Sequence, residues 1–286
     1  MAEPPTAAQI REARAGFPSR GGGSRAVGAR AALAKLLWDA AGVRRIPPAA
    51  ALDRALSALP RGDLFWLSEL TPMGPLYLFP TRPFLGALAR TIRALGARRV
   101  LEVAAGDGHL GRSLALVAPD LKISMTDRGS WEKPSARMSA KEKRELRGVP
   151  VAGLRLGAGV ERLDAREAIA KHRPDLVLAS WLPPGPLLAR LIRSPVRHLL
   201  EIGAGSGITG DIRCWRFPHE FLEGPLEKLA RCRLDERPAY ERHTRVTLYL
   251  GAGHEEFAEG DHPLSGPSRF RAPARAPRAA DRGRTA

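Results

Sequence analysis

The chain has 286 residues, of which 44% are hydrophobic, and it is long enough to bury the core of one or two globular domains. No apolar run approaches the ~20 residues that span a bilayer, and the N-terminus lacks the apolar stretch of a signal peptide. Two cysteines are too few for a disulfide framework or a zinc site. We therefore expect a cytoplasmic protein with reduced thiols, no membrane partner and no metal.

The net charge of +16 comes from 39 arginines and only 7 lysines, set against 30 acidic residues. The arginines are spread along the whole chain and form no local basic stripe with interleaved aromatic residues. Enrichment in Arg and Ala is typical of a GC-rich coding sequence, so the charge is interpreted mainly as background. An acidic partner, RNA or a phosphorylated substrate stays open as the alternative.

The N-terminal part is expected to be a helical extension. Residues 1–25 are rich in Pro, Gly, Ser and Ala and are predicted to be disordered. The apolar spacing predicts helices over Ala26–Ala41 and Ala49–Leu59. An aromatic loop with several prolines follows, and it either packs these helices onto the next domain or forms a lid. Residues 26–82 are therefore assigned to a helical or lid region.

From Thr81 onwards short β-rich runs alternate with helical stretches, which predicts an α/β fold with a parallel sheet. Thr81 is the expected N-cap of a helix over Pro83–Leu95. The predicted strands are Arg99–Ala104, Lys122–Thr126, Val160–Leu163, Asp175–Ser180, Arg197–Gly203 and Thr244–Leu250, with a weaker one over Cys232–Leu234. The predicted helices between them are Leu110–Val117, Ser135–Arg147, Ala165–His172 and Pro186–Arg193. This domain covers 83–255, and the Arg/Pro/Ala-rich residues 256–286 are expected to be a disordered tail.

Two segments of nearly the same sequence, LEVAAGDGHLG at 101–111 and LEIGAGSGITG at 200–210, place glycines after an apolar strand. Only the first is followed by a clear amphipathic helix and by a strand that ends in an acid about 20 residues on. Too few residues follow Gly210 for a second domain of the same kind. We therefore predict one ligand site, at the first segment. The second segment is interpreted as the fifth strand of the same sheet, with a loop that either approaches the ligand or is a tight turn.

The first segment fits the pattern G-x-G-x-x-G starting at Gly106, which lets the backbone pass close to a nucleotide. The next strand ends at Asp127, where a carboxylate can accept hydrogen bonds from ribose hydroxyls. Asp164, with Ala165 behind it, stands at the end of the third strand, where a carboxylate or a backbone amide can meet the amino edge of adenine. Ligands in such sheets bind outside the carboxyl ends of the strands, so these residues predict one adenosine-binding crevice.

The motifs VLEVAAGDGHLG, SMTD, RLDA and DLVLASWLPP, in this order between about Phe84 and Leu250, resemble the class I S-adenosylmethionine-dependent methyltransferases. The resemblance implies a Rossmann-like open sheet of seven strands, mostly parallel with an antiparallel last strand and flanked by helices. It also implies S-adenosyl-L-methionine as the cofactor. The cofactor contacts that the resemblance implies fall on Glu102, Ala104, Gly106, Gly108, Asp127 and Asp164.

The methyl acceptor is expected on the far side of the same crevice. The fourth strand ends in SWLPPG, so Ser180 and Trp181 close this crevice. Ser180 is expected to contact the cofactor, and Trp181 and the nearby Glu201 are expected to contact the acceptor. Tyr77, if the aromatic loop is a lid, lies near the sulfonium, which an aromatic face favours. His109 is expected to be a surface residue at a helix start. No catalytic base is named, because methyl transfer needs one only where the acceptor must lose a proton.

Two departures from the family pattern limit what the resemblance implies. Ala104 stands where the family usually has a glycine, and SWLPPG lacks the Asp or Asn that nucleic-acid amino methyltransferases place before Pro-Pro. A small-molecule acceptor is therefore favoured over a macromolecule, and nucleic acid has no specific motif in its support. The alternatives are an NAD(P)-dependent oxidoreductase, although no Tyr-x-x-x-Lys pair is present, and a non-catalytic methyltransferase-like binding module.

Overall fold

The computed structural model describes residues 24–40, 43–60, 75–130, 132, 153–204, 209–233 and 244–257. The predicted helix over Ser135–Arg147 lies outside these residues, as do 1–23 and 258–286. The segment expected to be disordered at the N-terminus is therefore described only from Ser24, where a helix begins.

Seven strands in the described residues form one sheet, in the order β3-β2-β1-β4-β5-β7-β6. Strands β1 to β5 run parallel, and β7 is antiparallel to both of its neighbours, β5 and β6. The strands cover Arg99–Val103 (β1), Lys122–Asp127 (β2), Val160–Arg162 (β3), Leu176–Ser180 (β4), His198–Ala204 (β5), His219–Phe221 (β6) and Thr244–Leu250 (β7). The predicted Rossmann-like open sheet with an antiparallel last strand is confirmed.

Six of these strands match predicted ones, and β6 was not predicted. Strand β6 has three residues, as β3 does, but its sequence HEF contains no β-branched residue that would indicate a strand, and it pairs with β7 at the edge of the sheet. The weak strand expected over Cys232–Leu234 is a single bridge between Cys232 and Leu78, outside the seven-stranded sheet. The prediction of a strand was therefore wrong here, because Cys232 pairs with Leu78 from the N-terminal part of the chain and not with a strand of the sheet.

Helices cover both faces of the sheet and extend beyond it at the N-terminus. They span Ser24–Leu37 (α1), Ala49–Ser57 (α2), Arg82–Ala94 (α3), His109–Val117 (α4), Ala165–His172 (α5), Leu187–Ile192 (α6) and Pro225–Leu229 (α7), and Ile212–Arg216 forms a 3-10 helix. None of the helices in the described part of the chain is long and apolar enough to cross a membrane.

The apolar core has one layer on each face of the sheet. Helix α3 contributes Phe84 and Leu88 to a layer that also contains Leu178 and Leu200 from the sheet. The opposite layer contains Leu101, Val177, Ile192 and Tyr249, among others. Each fully buried side chain of this size stabilises the fold by about 1.5–3 kcal/mol, so the two layers hold the helices against the sheet.

The N-terminal helices have a core of their own and are connected to the sheet domain by a short backbone pairing. Leu52 and Leu56 of α2 pack with Leu33 of α1 and with Phe79. Two backbone hydrogen bonds flank the Leu78–Cys232 bridge: the amide of Phe79 donates to the carbonyl of Arg231 at 2.8 Å, and the amide of Arg233 donates to the carbonyl of Tyr77 at 2.9 Å. The Arg231 side chain also binds Asp53 at 2.7 Å. Residues 75–80 therefore link the N-terminal helices to the carboxyl edge of the sheet.

Candidate functional site

The glycine-rich loop after β1 adopts a backbone conformation that few residue types tolerate. Ala104, Gly106 and Gly108 have φ angles of 52°, 57° and 68°. This left-handed region costs an alanine roughly 1 kcal/mol but costs glycine little. The amide of Ala105 donates to the carbonyl of Thr126 at 3.0 Å, which holds the loop across the end of β2.

Asp127 lies beside this loop, as the sequence predicted. Its Oδ2 accepts from the amide of Gly106 at 3.0 Å, and its Oδ1 accepts from the amide of Gly129 at 2.6 Å. Only 7% of the residue surface is exposed. Each carboxylate oxygen has two lone pairs, so each retains the capacity to accept a hydroxyl donor from a ligand.

Glu102 is buried below the loop and contacts the first turn of α4. Its Oε2 accepts from the amide of Gly111 at 2.8 Å. Burial, together with the nearby Asp107 carboxylate, raises the pKa of Glu102 to about 8. A Cβ on Gly111 would lie 2.5 Å from Oε2, so the last glycine of the G-x-G-x-x-G pattern makes room for this carboxyl group.

Asp107, inside the glycine-rich loop, pairs with a residue of the N-terminal region. Arg44 Nη1 lies 2.8 Å from Asp107 Oδ2, and Arg44 Nη2 donates to the carbonyl of Leu78 at 3.2 Å. Burial by itself raises the pKa of Asp107, but the Arg44 guanidinium together with the charge and the backbone amide of His109 outweighs burial, so the net pKa is lowered. The loop is therefore fixed from two sides, by β2 below and by Arg44 above.

His109, expected at the surface, is buried, so that expectation was wrong. Burial first, and the positive charge of Arg44 second, lower the pKa of His109 to about 3. The imidazole is therefore neutral at physiological pH. The error arose because the α1–α2 connector, which covers the start of α4, is remote in sequence.

Asp164 and Ala165 lie at the same carboxyl edge as Asp127. The amide of Leu163 donates to the carbonyl of Asp127 at 3.2 Å, which brings the end of β3 next to the end of β2. The Asp164 side chain is the N-cap of α5 and accepts from the amide of Arg166 at 3.0 Å. Asp164 is exposed and Ala165 is half-buried. A contact of either residue with adenine stays a prediction.

Tyr77 and Trp181, which are far apart in sequence, form a stacked pair. Their ring centroids are 5.5 Å apart with an interplanar angle of 19°, and the Arg233 guanidinium lies 4.8 Å from the centre of the Tyr77 ring. Trp181 follows Ser180 at the end of β4, has a φ of 54°, and donates its amide to the carbonyl of Ile202 at 2.7 Å. Left-handed backbone at a bulky residue is strained, and such strain concentrates at functional sites.

The register of the sheet places Glu102 and Glu201, the acids of the two similar segments, on opposite faces. Glu102 pairs with Leu178, which pairs with Leu200, so Glu201 is one residue out of step with Glu102. Successive side chains in a strand point to opposite faces, and Glu201 therefore lies on the opposite face of the sheet from Glu102. Burial raises the pKa of Glu201 to about 7. The expectation that this second segment is the fifth strand of the same sheet is confirmed.

One feature at the glycine-rich loop has no signal in the sequence. The side chain of Leu154, which precedes β3, lies directly against Gly106, where an added Cβ would be 2.9 Å from Leu154 Cδ2. Nearby, a Cβ on Gly157 would be 1.9 Å from the carbonyl oxygen of Asp107. Residues 153–158 therefore cross the loop, a contact that no local pattern in this irregular stretch could predict.

No protein-family model and no curated protein matches this chain. Among solved structures, the methyltransferase domain of bacterial CtHen1 is 13% identical, with a TM-score of 0.35, over 59% of this chain and 98% of that one. The mitomycin 7-O-methyltransferase MmcR is 17% identical, with a TM-score of 0.33, over 86% and 74%. TrmK of M. capricolum, solved with S-adenosylhomocysteine, is 10% identical, with a TM-score of 0.30, over 59% and 68%.

The first two of these solved structures are methyltransferases by name, but TM-scores this low carry no argument about the present chain. The fold assignment rests on the order and directions of the seven strands. In the described ranges, no group of three His, Cys, Asp or Glu residues is placed to hold a metal ion.

Proposed function

We propose that the chain is an S-adenosylmethionine-dependent methyltransferase. The observation that carries the proposal is the position of Asp127. Its carboxylate ends β2, lies next to a glycine-rich loop with left-handed backbone, and accepts the amide of Gly106 from that loop. An acid at this place in a parallel α/β sheet suits the two hydroxyls of a ribose.

The described residues fit the adenosine part of such a cofactor at Asp127. Each carboxylate oxygen accepts one backbone amide and retains a lone pair for a ribose hydroxyl. Backbone of the Ala104–Gly108 loop would lie along the ribose and the methionine part, and Asp164 or Ala165 would meet adenine. Glu102 would act indirectly, because its carboxyl group is buried and holds the start of α4.

Bound S-adenosylmethionine supplies an electrophilic methyl group on a sulfonium. The protein has to hold the acceptor in line with this methyl group and to exclude water. The stacked pair of Tyr77 and Trp181, beside the carboxyl end of β4, would form an aromatic wall of this space, and Ser180 would lie at its base. We further propose a small-molecule acceptor, since the arginines are spread along the sequence without a local basic stripe that carries interleaved aromatic residues.

Isothermal titration calorimetry with S-adenosylmethionine, S-adenosylhomocysteine and NAD tests the proposal. Asp127→Asn should weaken the binding of S-adenosylhomocysteine by about 10- to 100-fold, because a hydrogen bond to a charged group contributes roughly 1.5–3 kcal/mol. Asp120→Asn changes an exposed aspartate that pairs with Arg93 and Arg98, and it should leave the dissociation constant unchanged. Thermal unfolding of both variants establishes that they are folded.

The calorimetric outcomes separate the three classes of protein. Binding of the methionine-derived ligands that depends on Asp127 supports a methyltransferase. Binding of NAD alone overturns the proposal in favour of an oxidoreductase. Binding of none of the three by the folded protein favours a non-catalytic module with a methyltransferase-like fold.

A further inference from the structure

Residues 153–158 form a segment, here called the covering segment, that lies across the glycine-rich loop. It starts beside Glu132, whose carbonyl oxygen would be 2.0 Å from a Cβ on Gly153. It passes the carbonyl of Asp107 at Gly157 and ends where Arg112 Nη1 donates to the carbonyl of Ala158 at 3.1 Å. Glycine at 153 and 157 permits this close approach of two backbones.

Leu154 is the residue of the covering segment that meets the floor of the proposed cofactor site. Its Cδ2, Cδ1 and Cγ atoms would lie 2.9, 3.2 and 3.3 Å from a Cβ built on Gly106. Gly106 is also the residue whose amide donates to Asp127 Oδ2 at 3.0 Å. A ribose bound by Asp127 has to lie beside Gly106, and the isopropyl group of Leu154 is on that residue.

Within the described part of the chain, few contacts hold the covering segment in place. In the described chain, two hydrogen bonds tie it to its surroundings: the one from Arg112 and one from the amide of Val160 to the carbonyl of Gly157 at 3.2 Å. Leu154 itself is only partly buried. Segments with few buried apolar contacts and few backbone hydrogen bonds open at low free-energy cost.

We infer that the covering segment is a gate, closed in this structure, that must lift Leu154 off Gly106 before an adenosine cofactor can bind. The inference rests on the proposed function. A gate of this kind lowers the apparent affinity of the cofactor by the fraction of molecules in which it is open. Changes that weaken the closed state therefore tighten cofactor binding without adding any contact to the cofactor.

Two variants weaken the closed state in independent ways. Leu154→Ala removes the atoms that lie on Gly106. Gly157→Ala places a methyl group where the Asp107 carbonyl stands and pushes the covering segment outward. In calorimetry each should lower the dissociation constant of S-adenosylhomocysteine by on the order of tenfold. The matched control is Leu187→Ala, at a half-buried leucine that packs on the core layer containing Leu101 and Val177. It should leave the dissociation constant of S-adenosylhomocysteine unchanged.

A second readout follows the gate itself. Arg155 is an exposed trypsin site within the covering segment. Mass spectrometry of brief trypsin digests should show that saturating S-adenosylhomocysteine speeds cleavage after Arg155 in the unmodified protein. In the ligand-free state, both gate variants should also be cleaved faster there than the Leu187→Ala control.

The outcomes distinguish failure of the gate from failure of the proposed function. Tighter binding by both variants, with faster cleavage on ligand addition, supports the gate. Weaker binding by Leu154→Ala and Gly157→Ala, or protection of Arg155 by the ligand, overturns it and makes Leu154 a wall of a cofactor site that still exists. Absence of binding by the unmodified protein and both variants, all shown to be folded, overturns the gate together with the methyltransferase proposal.

Discussion

At the scale of single residues, the glycine-rich loop shows why each small residue stands where it does. Gly111 leaves room for the Glu102 carboxyl group, and Gly108 would otherwise meet Val160, with a Cβ 2.5 Å from its Cγ2. Ala104 holds a left-handed conformation at some cost. The G-x-G-x-x-G pattern is thus explained partly by packing inside the fold, and Gly106 is the glycine whose amide donates to Asp127 at the proposed ribose site.

Because Glu201 is a buried acid, we expect the free energy of unfolding to decrease between acidic and neutral pH. Burial raises its pKa in the folded protein to about 7 from the ordinary value of 4.5 for a glutamate. Below pH 4.5 both states are protonated. Between these two values the unfolded state loses its proton first, so the free energy of unfolding decreases as pH rises, by about 3 kcal/mol in all. Urea unfolding from pH 4 to 8 measures this decrease.

The variant Glu201→Gln cannot ionise, so its unfolding free energy should decrease less over this pH range than that of the unmodified protein. Glu255→Gln, at an exposed glutamate, is the control and should follow the unmodified protein. Parallel pH profiles for Glu201→Gln and the unmodified protein would show that Glu201 is not a buried, protonated acid. The pKa of Glu102 is also raised, to about 8, but Glu102 changes the unfolding free energy equally in the unmodified protein and in both variants.

At the scale of secondary-structure elements, local signals were sufficient where a cap or a long apolar run was present. Helix α3 begins after Thr81, whose Oγ1 accepts from the amide of Phe84, and it was predicted from this cap and from Pro83. Strand β6 and helix α7 have three and five residues, respectively, and were missed. Elements this short are formed by their tertiary partners and not by their own periodicity.

The N-cap of α3 provides a prediction at this scale. Thr81→Ala should lower the free energy of unfolding by about 1 kcal/mol, because the amide of Phe84 loses its acceptor at a buried helix start. Thr81→Ser keeps the hydroxyl group and should recover most of the loss. Chemical denaturation monitored by circular dichroism gives both values, and equal stability of the alanine and serine variants would argue against a capping role.

At the scale of the whole molecule, the N-terminal region contributes residues to the candidate site from outside its two helices. Arg44, in the connector between α1 and α2, pairs with Asp107 of the glycine-rich loop. Asp53 of α2 pairs with Arg231, which follows α7 in the sheet domain. The same attachment brings Tyr77 onto Trp181. The assignment of 26–82 as a lid or a helical extension is a proposal that this geometry supports.

The Arg44–Asp107 pair predicts strong coupling between the two parts of the chain. Arg44→Met should lower the free energy of unfolding by about 2 kcal/mol, because it leaves a half-buried carboxylate without its partner. Adding Asp107→Asn should restore much of this loss, which a double-mutant cycle in urea measures. Arg93→Met, in an exposed pair with Asp120, should leave the unfolding midpoint unchanged. Additive effects of Arg44→Met and Asp107→Asn would show that the pair does not couple.

The sequence by itself determined the α/β class, six of the seven described strands, the α3 cap and the position of Asp127 beside the glycine-rich loop, because these follow from local periodicity and from the carboxyl edge that parallel strands share. Only the tertiary structure decided that Glu201 faces away from Glu102, that Trp181 stacks on Tyr77, and that Leu154 covers Gly106. A shift of one residue in strand register reverses the face of every side chain, and contacts between distant segments depend on packing that no short pattern contains.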